Sequence, residues 1–109
     1  MENNKLLPLG SIVFLKDGVI KMLIIGRRNL IAKEGEKKPI LFDYAASPYP
    51  IGFAGNEQLY HFNHENIDKV IFSGFTDVDD ERAIEMMEEW KVANANEFVI
   101  SKIEVSLSD

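Results

Sequence analysis

Cysteine is absent from this chain, so no disulfide framework can staple it and no thiolate can act as nucleophile or metal ligand. No serine sits in a Gly-x-Ser-x-Gly elbow, because Ser73 lies beside Gly74 within an apolar run rather than at a strand-to-helix turn. No glycine loop able to cradle phosphate is present: Gly10, Gly18 and Gly26 are spaced eight apart. Histidine is scarce. A metal site would need His61 and His64 to converge with Asp43 or Asp68, a looser pattern than zinc sites show. No window approaches the ~20 apolar residues of a membrane span. The first ten residues offer only Leu6-Leu7 before Pro8, too short for a signal-peptide core. These absences leave catalysis without a visible seat, predict neither cofactor nor metal, and point to a cytoplasmic protein that acts by binding.

What is present suits one folded domain. The 109 residues are 46% hydrophobic, with seven Phe and three Tyr, and a chain of this length buries roughly two-thirds of its unfolded surface. Residues 1–75 carry nine Lys/Arg against eight Asp/Glu, whereas residues 76–109 carry three against ten. The last third therefore carries −7 and the rest +1, which together make the net charge of −6. An acidic end of this kind argues against nucleic acid as partner, since that binding is driven by phosphate neutralisation.

Residues 11–16 and 19–27 are β-branched and aromatic runs separated by Asp17-Gly18. An Asp-Gly pair between two such runs predicts a β-hairpin with a type I′ turn. Both runs are apolar on both faces, which suits central strands of a strongly curved sheet or a small barrel. Arg27-Arg28-Asn29 interrupts the pattern, and with Lys37-Lys38 it could form a basic edge, the one feature that favours RNA. A strand begins near Ile40 after Pro39 and runs through Phe42. Residues 43–53 then hold Pro48 and Pro50 around Tyr49, which predicts a stiff, ordered loop. Residues 58–62 read as a strand, Asn63 as the N-cap of a helical turn over 64–68, and 69–75 as a further strand.

Thr76 followed by Asp79 resembles a capping box, and acids at 77, 79, 80 and 81 favour a helix N-terminus. Ala83, Met86, Met87 and Trp90 fall on one stripe at helical spacing and predict the packing face. If Trp90 is buried there, Trp90→Ala should cost roughly 3–5 kcal/mol. Glu81, Glu85, Glu88 and Glu89 fall largely on the other side, as a solvated face or an acidic docking surface for a basic partner. Residues 98–108 switch to period two and predict a final strand, possible at a sheet edge and open to a partner. The expected fold is α+β: a small, strongly curved antiparallel sheet or partly open barrel of about five to seven strands, with one C-terminal amphipathic helix. A single domain over residues 1–109 divides into a polar tail (1–9), a β-rich region (10–75), a helix (77–95) and a terminal strand (97–107).

Three surfaces are candidates for binding another protein: the loop with Asp43, Tyr44, Tyr49, Pro50, Gly52 and Phe53, the acidic helix face, and the terminal strand. Rings held by prolines lose little entropy on docking and make good interface anchors, although the same rings could simply cap one end of a barrel.

Several segments in order carry a family resemblance. They are residues 7–13 (Leu-Pro-Leu-Gly-Ser-Ile-Val), 24–27 (Ile-Ile-Gly-Arg), Phe42-Asp43-Tyr44, Tyr49-Pro50-x-Gly52, and Phe62-Asn63 with residues 67–75. Together, over about residues 6–92, they resemble the small Gram-positive proteins grouped as domain of unknown function 4176. The resemblance implies a setting beside type VII secretion clusters and LXG-type toxins, and a role as a cytosolic accessory protein or chaperone for those secreted effectors. An immunity protein that neutralises a cognate toxin is the alternative. No catalytic residues carry over, and Asp43, Tyr44, Tyr49, Pro50 and Gly52 come across only as structural or interface positions. Residues 97–109 lie outside the resemblance.

Overall fold

The structure, a computed structural model, describes residues 5–100 and 106–107. Its strands are β1 (Ile12–Leu15), β2 (Lys21–Ile31), β3 (Ile40–Pro48), β4 (Tyr60–Phe62), β5 (Ile67–Phe72), β6 (Val99–Ile100) and β7 (Ser106–Leu107), with one helix, α1 (Val78–Ala93). The order β5-β1-β2-β3-β4-β7 makes an antiparallel sheet that stays open, and β6 adds parallel to the start of β3. The α+β class, the open antiparallel sheet and the single C-terminal helix are as the sequence predicts.

β1 and β2 do form an antiparallel hairpin, but Asp17-Gly18 is not a two-residue turn. The last pair is Phe14 with Lys21, so residues 16–20 form a longer loop. The Gly18 N–H donates to the Leu15 carbonyl (2.9 Å), and Asp17 rather than Gly18 takes the left-handed conformation, at φ 63°. Val19 and Ile20 consequently leave the strand and stand exposed. β2 is also longer than predicted, because Arg27-Arg28-Asn29 stays in the ladder opposite β3. Its pairing slips between Ile24 and Gly26, and Arg28 adopts φ 52°. β3 likewise runs on through Asp43, Tyr44 and Pro48, so that half of the predicted loop is strand.

The core gathers Val13, Leu15, Met22, Ile24, Tyr44, Ala46, Phe62 and Ile67 from the sheet, with Leu6 and Ile84 laid over them. Leu6 is buried, which corrects the assignment of residues 1–9 to a polar tail; residues 1–4 lie outside the described residues. Residues 8–11 tie this strap to β2 through Gly10 N–H to the Ile24 carbonyl (2.8 Å) and Ile24 N–H to the Ser11 carbonyl (2.9 Å).

The N-cap of α1 is Asp77, whose carboxylate accepts from the Asp80 N–H (2.9 Å); Thr76 instead donates its hydroxyl to the Asp80 carboxylate (2.8 Å). The predicted packing stripe is rotated. Ile84 is the buried residue of the helix and Met87 packs beside it, while Met86 faces solvent. The reason lies in the sheet, where Arg27 and Arg28 draw Asp80 and Glu88 inward at helical spacing from Ile84. Trp90 is 37% exposed and stacks on Phe98 with centroids 5.5 Å apart. Its truncation should cost well under the roughly 3–5 kcal/mol of a buried tryptophan, since such a stack is worth about 0.5–1.5 kcal/mol beyond its area.

A final strand is present, but it starts at Val99 rather than at residue 97. A 3-10 turn, Ala95–Glu97, precedes β6, whose Val99 and Ile100 pair with Ile40 and Leu41. β7 then pairs with Tyr60 and His61 of β4, and residues 101–105 lie outside the described residues. Both pieces pair with the chain's own sheet, and β7 forms the edge of the strand order opposite β5.

Candidate functional site

β3 carries the sequence-predicted residues in two groups with different fates. Tyr44 is fully buried, and its phenol oxygen accepts from the Leu7 N–H (2.9 Å) and hydrogen-bonds His64 Nδ1 (2.8 Å). Burial pushes its pKa up to about 12, against the opposing pull of the Leu7 hydrogen bond. Asp43 accepts from the His64 N–H (2.9 Å) and lies 3.6 Å from Arg28 Nε, while its own N–H donates to Asn63 Oδ1 (3.0 Å). These contacts hold the 3-10 turn His64–Asn66 and the residue-7 strap against the sheet. Asp43 and Tyr44 are thus structural, and Tyr44 has no surface left to offer a partner.

Tyr49, Pro50, Gly52 and Phe53 lie beyond the strand and do form an exposed loop. The Tyr49 N–H donates to the Lys21 carbonyl and the Gly52 N–H to the Pro48 carbonyl (both 2.8 Å), which closes the turn. Gly52 sits at φ 83°, where a side chain would be strained, and the Tyr49-Pro50 bond is cis. The Lys21 ammonium lies 5.7 Å from the Tyr49 ring centroid. Met22 pairs with Pro48, so the β1–β2 loop and the loop after β3 leave the sheet at the same end. That end carries Val19 (88% exposed), Ile51 (75%) and Phe53 (61%), together with half-exposed Ile20 and Tyr49. Scattered surface apolar residues are ordinary, but five large ones on two adjoining loops form a patch of the kind that marks an interaction site.

Sequence reasoning missed Val19, Ile20 and Ile51 because it placed the first two in a strand and gave no weight to the third. The signal was available: an Asp-Gly turn displaced by two residues leaves two β-branched side chains in the loop.

The acidic helix residues also divide. Glu88 forms an ion pair with Arg28, and Asp80 one with Arg27 (2.7 Å). Burial tends to raise the Asp80 pKa, but hydrogen bonds from Arg27 and Thr76 and the Arg27 charge outweigh it and hold the carboxyl below its usual value. Glu81, Glu85 and Glu89 remain on the exposed surface of α1. Arg27 and Arg28 do not join Lys37 and Lys38 in a basic edge, the minority reading of the sequence, because both guanidinium side chains are more than nine-tenths buried. Arg27 also donates to the Leu7 carbonyl (3.1 Å), which ties strap, sheet and helix together.

His61 is buried against the Phe42 ring, and burial lowers its pKa. His64 bonds Tyr44 instead of turning toward it. Among the described residues no group of three or more metal-ligating side chains is gathered. No helix among them is long and apolar enough to cross a membrane. Of the two edge strands, β5 exposes Ile71 and Phe72, but two register shifts against β1 interrupt its ladder, a device that discourages strand addition.

The family model described as Domain of unknown function (DUF4176) matches residues 6–83, well over half of the chain. Among curated proteins and among solved structures, none matches it.

Proposed function

The chain belongs to the family of Domain of unknown function (DUF4176), and on that premise we propose that it is a cytosolic, non-catalytic accessory protein that docks another protein on the loop end of its sheet. The observation that carries this reading is the gathering of Val19, Ile20, Tyr49, Ile51 and Phe53 at one end, on loops pinned by backbone hydrogen bonds. Pinned loops pay little ordering entropy on binding, so exposed rings there are efficient anchors. The family resemblance supplies the partner class: a secreted LXG-type effector, held by the accessory protein before export.

The test is to co-express the chain with the LXG effector encoded beside it and purify the effector. A stoichiometric complex, with effector export reduced when the accessory gene is deleted, supports the proposal. Failure of the two to co-purify would remove it. The alternative, an immunity protein, predicts a different phenotype: survival of cells that express the toxin domain only when this chain is present, with export unaffected.

A further inference from the structure

Two grooves run along α1 and meet at Glu88. The first, of about 810 Å³, lies between the helix and Lys5, with Glu81, Glu85, Glu88 and Glu89 around an Ile84 floor. The second, of about 660 Å³, continues past Glu88 toward β6 and is walled by Lys91, Val92, Ala95, Phe98, Val99 and Ile100. Positions 81, 85, 88 and 92 recur at three- and four-residue intervals, so they form one stripe of the helix. At ~1.5 Å per residue that stripe is about 16 Å long. One half carries Glu81, Glu85, Glu89 and the Arg28-paired Glu88 against one lysine; the other half is mainly apolar with Lys91 in its wall, and its Val92, Val99 and Ile100 stand open to solvent.

We propose that this double groove binds an amphipathic segment of a partner protein that is basic in one half and apolar in the other. The basic half lies over residues 81–89 and the apolar half fills the pocket beside β6. Charge complementarity selects this occupant: Glu85 and Glu89 carry no ion pair among the described residues, and an acidic or uniformly apolar segment would leave them desolvated and uncompensated. The apolar half gives the anchor, in the manner of a helix laid into a groove. This surface is separate from the loop end, because β6 pairs with the start of β3 and the loop end lies beyond Pro48 at its finish. A partner could be read at either surface or span both.

Trp90, the sole tryptophan, stacks on the groove residue Phe98 and reports occupancy directly. The experiment titrates the full chain with a synthetic peptide of about 16 residues, with lysines at helical spacing in one half and leucines and isoleucines in the other. A saturable change in Trp90 emission is expected, weakened at least about tenfold by Glu85→Gln/Glu89→Gln and by high salt. Val92→Lys should weaken binding as strongly, whereas Ile51→Ser/Phe53→Ser at the loop end should leave it unchanged. Equal binding of a scrambled peptide or of one with glutamates in place of lysines would overturn the proposal. So would the absence of saturable binding, or indifference to Glu85→Gln/Glu89→Gln. Self-association of the free chain that Val92→Lys abolishes would assign the groove to a second copy instead.

Discussion

The Ser11 hydroxyl joins two parts of the chain: it donates to the Pro8 carbonyl (2.8 Å) and accepts from the Gly74 N–H (2.9 Å). Gly74 lies so close to the strap that a Cβ there would sit 2.1 Å from the Leu9 carbonyl oxygen. Backbone cannot yield as a flexible side chain can, so Gly74→Ala must push residues 8–11 off the sheet. Its urea midpoint should fall by the equivalent of several kcal/mol, beyond the ~1 kcal/mol typical of a point substitution. Tyr44 acts on the same strap from the other side. Because its folded pKa is raised from 10 to about 12, the neutral phenol contributes stability that is fully present below pH ~10 and is lost as pH rises through about 12. Tyr44→Phe should destabilise the protein at neutral pH by about 1–3 kcal/mol, since the partly buried Leu7 N–H loses its acceptor. The difference from wild type should shrink in alkali, as followed by denaturant melts from pH 8 to beyond ~11.

α1 shows how charge can set the orientation of an element. Apolar periodicity alone favours the stripe through Met86 and Trp90, yet the helix turns Asp80, Ile84 and Glu88 to the sheet because two buried arginines wait there. That choice was not legible in the sequence: two arginines in an interrupted strand read as a surface feature, and nothing local shows that the strand continues through them. The capping acid and the helix span, by contrast, were legible to within a residue or two, since Asp77 and the acids after it act on their own turn. The ion-pair clasp has a pH signature. Asp80 has a lowered folded pKa, so its stabilisation is present above the ordinary carboxylate pKa near ~3.9 and is lost as pH falls through the folded value. Wild type should exceed Asp80→Asn in urea midpoint at pH ~6, and the two should converge near pH ~2–3. A gap that stayed constant over that range would remove the clasp from α1.

At the level of the whole molecule, the division of charge and apolar surface matters most. The fold class, the hairpin, the single helix and the family were all legible, because alternation, turn residues and an ordered set of short segments survive errors in any one boundary. The candidate site was half legible. Tyr49, Pro50, Gly52 and Phe53 lie where prolines predicted an ordered exposed loop, whereas Asp43 and Tyr44 were absorbed by an extended strand. The displaced Asp-Gly turn puts Val19 and Ile20 in a loop, but it is the β2–β3 register that brings that loop beside Tyr49 and Phe53, and no local pattern encodes it. The most direct measurement is calorimetric titration of the proposed partner, an LXG-type effector, with wild type and with Ile51→Ser/Phe53→Ser, whose side chains are exposed and whose loss should leave the melting temperature nearly unchanged. The loop-end reading predicts that affinity falls at least about tenfold in the double variant. Undiminished affinity, with both proteins folded, would contradict it.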